Sequence, residues 1–165
     1  SSTRIREYLR RGEPTSAARL LGRPFEIEGE VIAGDQRGRT IGFPTANVRL
    51  DGYVIPAHGV YAIRVGIEEE GAVRWYDGIA NLGLRPTFAG SEVLLETHVF
   101  DFAGDLYGRT VRVVMAEFIR PEKKFDGIEA LRAQIEEDVA RARLALSEGS
   151  RRLPMARTSK TGSGF

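Results

Sequence analysis

Phe25-Glu26-Ile27-Glu28-Gly29-Glu30-Val31 alternates residue by residue. Apolar or small residues take every second place and glutamates the places between, which is the period of a half-buried strand. Upstream the pattern is helical. Pro14 takes a first-turn position before Ser16-Ala17-Ala18-Arg19-Leu20-Leu21, and Gly22 ends that helix. Further back, Thr3 can cap an earlier helix that Gly12 stops.

Downstream the period of two returns five times. Ala46, Val48 and Leu50 form one alternating set, and Tyr61, Ile63, Val65 and Ile67 the next. A strand from Val73 to about Ala80 follows the turn at Glu68-Glu69-Glu70-Gly71. Val93, Leu95, Thr97 and Val99 mark a fifth strand, and Val111, Val113 and Met115 a sixth. Asp51-Gly52, Asn81-Leu82-Gly83, Phe88-Ala89-Gly90 and the stretch from Asp101 to Gly108 carry turn chemistry. The last element is helical. Asp126 and Glu129 have capping-box spacing, and Ile128, Leu131, Ile135, Val139, Ala142 and Leu146 make one apolar stripe before Gly149 stops the helix.

These signals predict a mainly β protein: a six-stranded antiparallel closed β-barrel with short N-terminal helices and a C-terminal amphipathic helix. Residues 1–22 read as a helical linker, 23–149 as the barrel domain, and 150–165 as a disordered tail, being basic, rich in Ser and Gly, and without periodicity.

A chain of 165 residues with 42% hydrophobic residues suits one domain with one core. Its 24 basic and 23 acidic residues lack the basic excess expected of a nucleic-acid binder. The absence of cysteine excludes disulfides, thiol nucleophiles and thiolate metal sites, and fits a reducing cytoplasm. No apolar run approaches the ~18 residues of a membrane span, and no signal peptide is visible.

The segment Gly34-Asp35-Gln36-Arg37-Gly38-Arg39-Thr40-Ile41-Gly42-Phe43-Pro44-Thr45-Ala46-Asn47 is the richest in chemistry. Its glycines at 34, 38 and 42 allow backbone N–H groups to approach an anion. It is not a P-loop, because no Lys-[Ser/Thr] pair follows and a strand, not a helix, comes next. An ordinary β-loop with a surface arginine pair fits the spacing equally well. Beyond Pro44, Thr45 and Asn47 place a hydroxyl and a carboxamide oxygen on one strand face, hard donors of the kind Mg²⁺ takes. Taken alone, a turn with a capping asparagine is the simpler account. Glu96 shares a face with Glu92, Leu94, His98 and Phe100. By itself it reads as an exposed strand carboxylate, and His98 as structural.

Gly-Arg-x-x-Gly-x-Pro-Thr-Ala-Asn from Gly38 to Asn47 resembles the signature of riboflavin kinases. Further pieces agree in order: Gly59-Val60-Tyr61, Asn81-Leu82-Gly83-Leu84-Arg85-Pro86-Thr87-Phe88, Leu95-Glu96-Thr97-His98-Val99, Asp105-Leu106-Tyr107-Gly108, and Arg120-Pro121-Glu122-Lys123-Lys124-Phe125-Asp126. The resemblance runs from about Leu21 to Glu148. It implies an enzyme that moves the γ-phosphate of ATP to the terminal ribityl hydroxyl of riboflavin, with Mg²⁺ as cofactor. By position, Glu96 matches the catalytic base, and Thr45 and Asn47 match the Mg²⁺ ligands. Gly34, Gly38, Arg39, Gly42 and Pro44 fall in the loop that resembles the flap over ATP. Arg120 and Phe125 lie in the segment that resembles the flavin-side wall.

Ser1-Ser2-Thr3-Arg4-Ile5-Arg6 resembles the last phosphate-binding motif of the nucleotidyltransferase module in bacterial bifunctional riboflavin kinase/FMN adenylyltransferases. That module's His-x-Gly-His signature is absent. The expectation is a C-terminal piece of such an enzyme, with residues 1–22 a remnant of the upstream module, able to make FMN but not FAD. A plain capped helix is the alternative for these residues. Two rival functions use similar barrels. A flavin-binding split-barrel oxidoreductase would need neither the Thr-x-Asn strand nor Glu96, and an oligonucleotide-binding barrel would need a positive, aromatic groove.

Overall fold

A computed structural model describes residues 2–32, 42–50, 54–87 and 90–152, the last four as helix backbone only. Helices α1 (Ser2–Arg10) and α2 (Pro14–Leu21) precede strands β1 (Glu26–Ile32), β2 (Ala46–Arg49), β3 (Gly59–Glu69), β4 (Ala72–Thr87), β5 (Gly90–Val99) and β6 (Thr110–Arg120), and helix α3 (Ile128–Arg152) ends the described chain. The strands close in the order β1-β2-β5-β4-β3-β6, every neighbour antiparallel. The expected barrel is therefore present, and closure leaves no free sheet edge.

Alternation gives each strand an inner and an outer face. The inner residues, among them Ile27, Val48, Tyr61, Ile63, Leu82, Leu95, Val113 and Met115, fill the barrel. The Tyr61 hydroxyl donates to the Ala57 carbonyl at 2.6 Å, and burial raises the pKa of the phenol. Gly29 lets β1 meet β2 closely, since a Cβ there would lie 2.5 Å from the Arg49 carbonyl oxygen.

A second core lies outside the barrel. Val60, Ala62, Ile79, Phe100 and Ile119 bury their outward side chains against Ala142 and Leu146 of α3. The apolar stripe of the helix therefore packs on the barrel wall, and much of β3 is buried on both faces. Arg64 is buried there too, and donates to the Leu146 carbonyl at 2.8 Å. At the other end of the wall, Arg120 of β6 holds Asp138 of α3 through two guanidinium nitrogens at 2.8–3.1 Å.

Several boundaries differ from the sequence reading. Asn81-Leu82-Gly83 is no turn: β4 runs through it, paired with β3 at Gly59↔Leu82 and with β5 at Asn81↔Glu96. Local turn chemistry yields there to partners on both sides. Thr3 lies inside α1 rather than capping it. The first α3 hydrogen bond runs from Leu131 N–H to the Gly127 carbonyl, so the helix starts one residue after the expected cap at Asp126. It also continues past Gly149 to Arg152, since glycine within a helix costs only about 1 kcal/mol. Of the expected 150–165 tail, residues 153–165 lie outside the described residues. Pro14 and Gly22 bound α2 as expected, Gly22 in the left-handed conformation.

Candidate active site

Three neighbouring strands bring one row of oxygen donors together. Glu96 of β5 stands opposite Asn47 of β2 on one side and Asn81 of β4 on the other. Directly paired residues point to the same face, and this is the outer face, since Leu95 and Thr97 turn inward. The carboxylate is 19% exposed and held at both oxygens. The Thr45 hydroxyl donates to Oε2 at 3.4 Å, and Arg85 Nε lies 3.6 Å from Oε1. Arg85 also reaches Glu122 through Nη1 at 3.1 Å. The Glu122 carboxylate rests against Gly83, where a Cβ would collide with it.

A cleft of about 500 Å³ opens over this row. Its strand wall includes Thr45, Asn81, Arg85 and Glu96. Opposite stand Phe125 and the first turns of α3, with Ile128 and Leu131. The lining thus joins oxygen donors to aromatic and aliphatic surface, with Arg120, Glu122, Lys123 and Lys124 at the same cleft, as suits a ligand with a reactive polar end and an aromatic body.

The oxygen donors fit a hard cation. Asn47 is only 7% exposed, and its buried Oδ1 has no hydrogen-bond partner among the described residues. A buried acceptor left unpaired costs about 1–3 kcal/mol, so an arriving ligand that satisfies it recovers that loss. The Thr45 hydroxyl donates a hydrogen bond to Glu96 and keeps lone pairs for a cation. Among the described residues no cluster of three or more His, Asp and Glu could hold a metal alone. A Mg²⁺ ion here would complete its shell with waters and phosphate oxygens.

The other expected site residues fall as follows. Arg120 and Phe125 both line the cleft, with the guanidinium 5.7 Å from the ring centroid. Arg120 is largely spent on Asp138, a partner the sequence reading missed. The Pro44 carbonyl accepts from His98 Nδ1 at 2.9 Å, which fixes the proton on that nitrogen. His98 also sits edge-on between Phe43 and Phe100 and lines the cleft beside Thr45 and Glu96. Gly42 has φ 90, a left-handed conformation, and does not line the cleft. Gly34, Gly38 and Arg39 lie outside the described residues. Asn81, Arg85 and Glu122 stand in segments quoted for the resemblance but were given no site role; the signals at Asn81 and Gly83 read as a turn.

Known proteins resemble this chain over most of its length. A riboflavin kinase (flavokinase) family model matches residues 21–146. The chain is 48% identical over 143 residues to the bifunctional riboflavin kinase/FMN adenylyltransferase of Haemophilus influenzae, covering 87% of this chain and 46% of that protein. It thus spans about half the length of the curated relatives it matches. Among solved structures, riboflavin kinase from Trypanosoma brucei superposes with a TM-score of 0.55 at 27% identity, covering 76% of this chain and 81% of that one. A Streptococcus pneumoniae structure described as a macrolide-efflux protein reaches a TM-score of 0.78 at 41% identity, covering 87% of this chain and 46% of that one. Among the described residues no helix is long and apolar enough to cross a membrane.

Proposed function

This chain belongs to the riboflavin kinase family, and from that membership we propose that its cleft moves the γ-phosphate of ATP to the terminal ribityl hydroxyl of riboflavin, giving FMN and ADP. The observation that carries the reading is the oxygen row: Glu96 between Asn47 and Asn81, with the Thr45 hydroxyl on its carboxylate.

The chemistry asks little of the protein beyond position and charge. Glu96 takes the proton of the attacking hydroxyl as that oxygen bonds to the γ-phosphorus. The bond to the β,γ-bridging oxygen breaks, and its electron pair leaves with ADP. The hydrogen bond from Thr45 and the contact with Arg85 orient the carboxylate, so it meets the hydroxyl without a search over rotamers. Thr45 and Asn47 would hold Mg²⁺, which when bound neutralises charge on the nucleotide phosphates. Phe125 and Arg120 offer the flavin an apolar face with a fixed cation behind it. Gly34, Gly38, Arg39, Gly42 and Pro44 are proposed to bind ATP, as the resemblance implies.

The names of the relatives suggest an adenylyltransferase module as the partner in a full-length protein. ATP dependence and the lack of cysteine suit a cytoplasmic enzyme. Incubating the chain with riboflavin, ATP and Mg²⁺ and separating the flavins by chromatography tests the reading. FMN that requires both ATP and the metal is expected, and folded protein that leaves riboflavin unchanged would overturn it.

A further inference from the structure

We propose that Arg85 is a further catalytic residue, whose guanidinium passes from Glu96 to the oxygens of the transferring phosphoryl group and neutralises the charge there. This rests on the reading of Glu96 as the base. A hydroxyl that gives its proton to Glu96 lies about 3 Å from that carboxylate. The γ-phosphorus then sits about 3–3.5 Å beyond the hydroxyl oxygen. A guanidinium 3.6 Å from Glu96 Oε1 is therefore within a side-chain rotation of the phosphoryl oxygens.

Two of the other cleft cations stand differently. Arg120 is bound by Asp138, and Lys123 lies 5.4 Å from the Phe125 ring, on the opposite wall. Arg85 alone of the arginines and lysines lining the cleft is ion-paired with Glu96 among the described residues. Its planar fork matches phosphoryl oxygens as it does carboxylates. Glu122 supplies the counterweight. Resting on Gly83, it draws Nη1 at 3.1 Å, so the guanidinium is shared between two carboxylates and waits beside the reacting oxygen.

The step balances without another reactant. The hydroxyl oxygen bonds to phosphorus, its proton goes to Glu96, and the leaving oxygen departs with ADP. Arg85 only exchanges one anionic partner for another.

Three variants separate this role from that of a strut for the 121–127 segment. Arg85→Ala should lower kcat on the order of 10²-fold, the cost of one lost transition-state donor, with the KM for riboflavin little changed. Low-millimolar guanidinium should restore part of that rate, and Arg85→Lys should keep more of it than alanine. Glu122→Gln should lower the KM for ATP several-fold, because it frees Arg85 and removes a repelling carboxylate. A strut would give the opposite sign: Glu122→Gln would lose activity as Arg85→Ala does, with no rescue by guanidinium, and that result would overturn the role. A wild-type chain that makes no FMN would contradict the kinase reading as well. Wild-type turnover with Arg85→Ala at the same rate would contradict the role of Arg85 alone.

Discussion

Asp138→Ala should destabilise the protein more than any exposed ion-pair change. Asp138 is 1% exposed, and the Arg120 side chain paired with it is 13% exposed. The carboxylate accepts from Arg120 Nε and Nη2, with distances of 2.8–3.1 Å, and from Gln134 Nε2 at 3.0 Å. Alanine removes every one of these acceptors and leaves a nearly buried guanidinium uncompensated. Breaking a buried pair from one side costs about 3–5 kcal/mol. For a domain of this size each kcal/mol lowers Tm by about 2–4 °C, so a fall of about 6–20 °C is expected. Urea denaturation followed through Trp75 fluorescence, with calorimetry for Tm, measures it. Replacing both partners by apolar residues, Arg120→Met with Asp138→Leu, should recover much of the loss, because no charge is then stranded. A loss below about 1 kcal/mol for Asp138→Ala, the range of exposed pairs, would refute the reasoning.

Thr45→Ala or Asn47→Ala should shift the Mg²⁺ titration of turnover to higher concentration, and an unchanged titration would argue against both as ligands. Gly29→Ala should cost about 1–3 kcal/mol by overpacking, since its Cβ would lie 2.5 Å from the Arg49 carbonyl oxygen; denaturation at wild-type midpoint would contradict that. Leu146→Ala removes a side chain buried between α3 and the barrel wall and should cost about 2–5 kcal/mol. A smaller loss would mean the outer core is loosely packed.

Period-two patterning made the barrel legible because each strand separates an inner from an outer face. Leu95 and Thr97 turn in while Glu96 turns out, as alternation requires. The length of β4 was not legible. Asn81 and Gly83 carry local turn signals, and only pairing with Val60 and Glu96, residues distant in sequence, holds them in a strand. The same misreading concealed Asn81 and Arg85 as members of the site. Asp138 was hidden for another reason: on an amphipathic helix it reads as solvated, and only the fold brings Arg120 to it. The roles of Thr45, Asn47 and Glu96 came from family resemblance, since spacing alone left simpler accounts open. What the fold adds is their meeting in one row, with Thr45 on the Glu96 carboxylate.

In the proposed reaction Glu96 takes the proton of the attacking hydroxyl. Glu96→Gln keeps the shape and hydrogen-bonding reach of the side chain but deletes the base, so its turnover, compared with its binding of ATP and riboflavin, is the most direct test. A loss of most of the rate, on the order of 10²–10⁴-fold, with both substrates still bound, is the predicted result. Turnover near that of the wild type would contradict it.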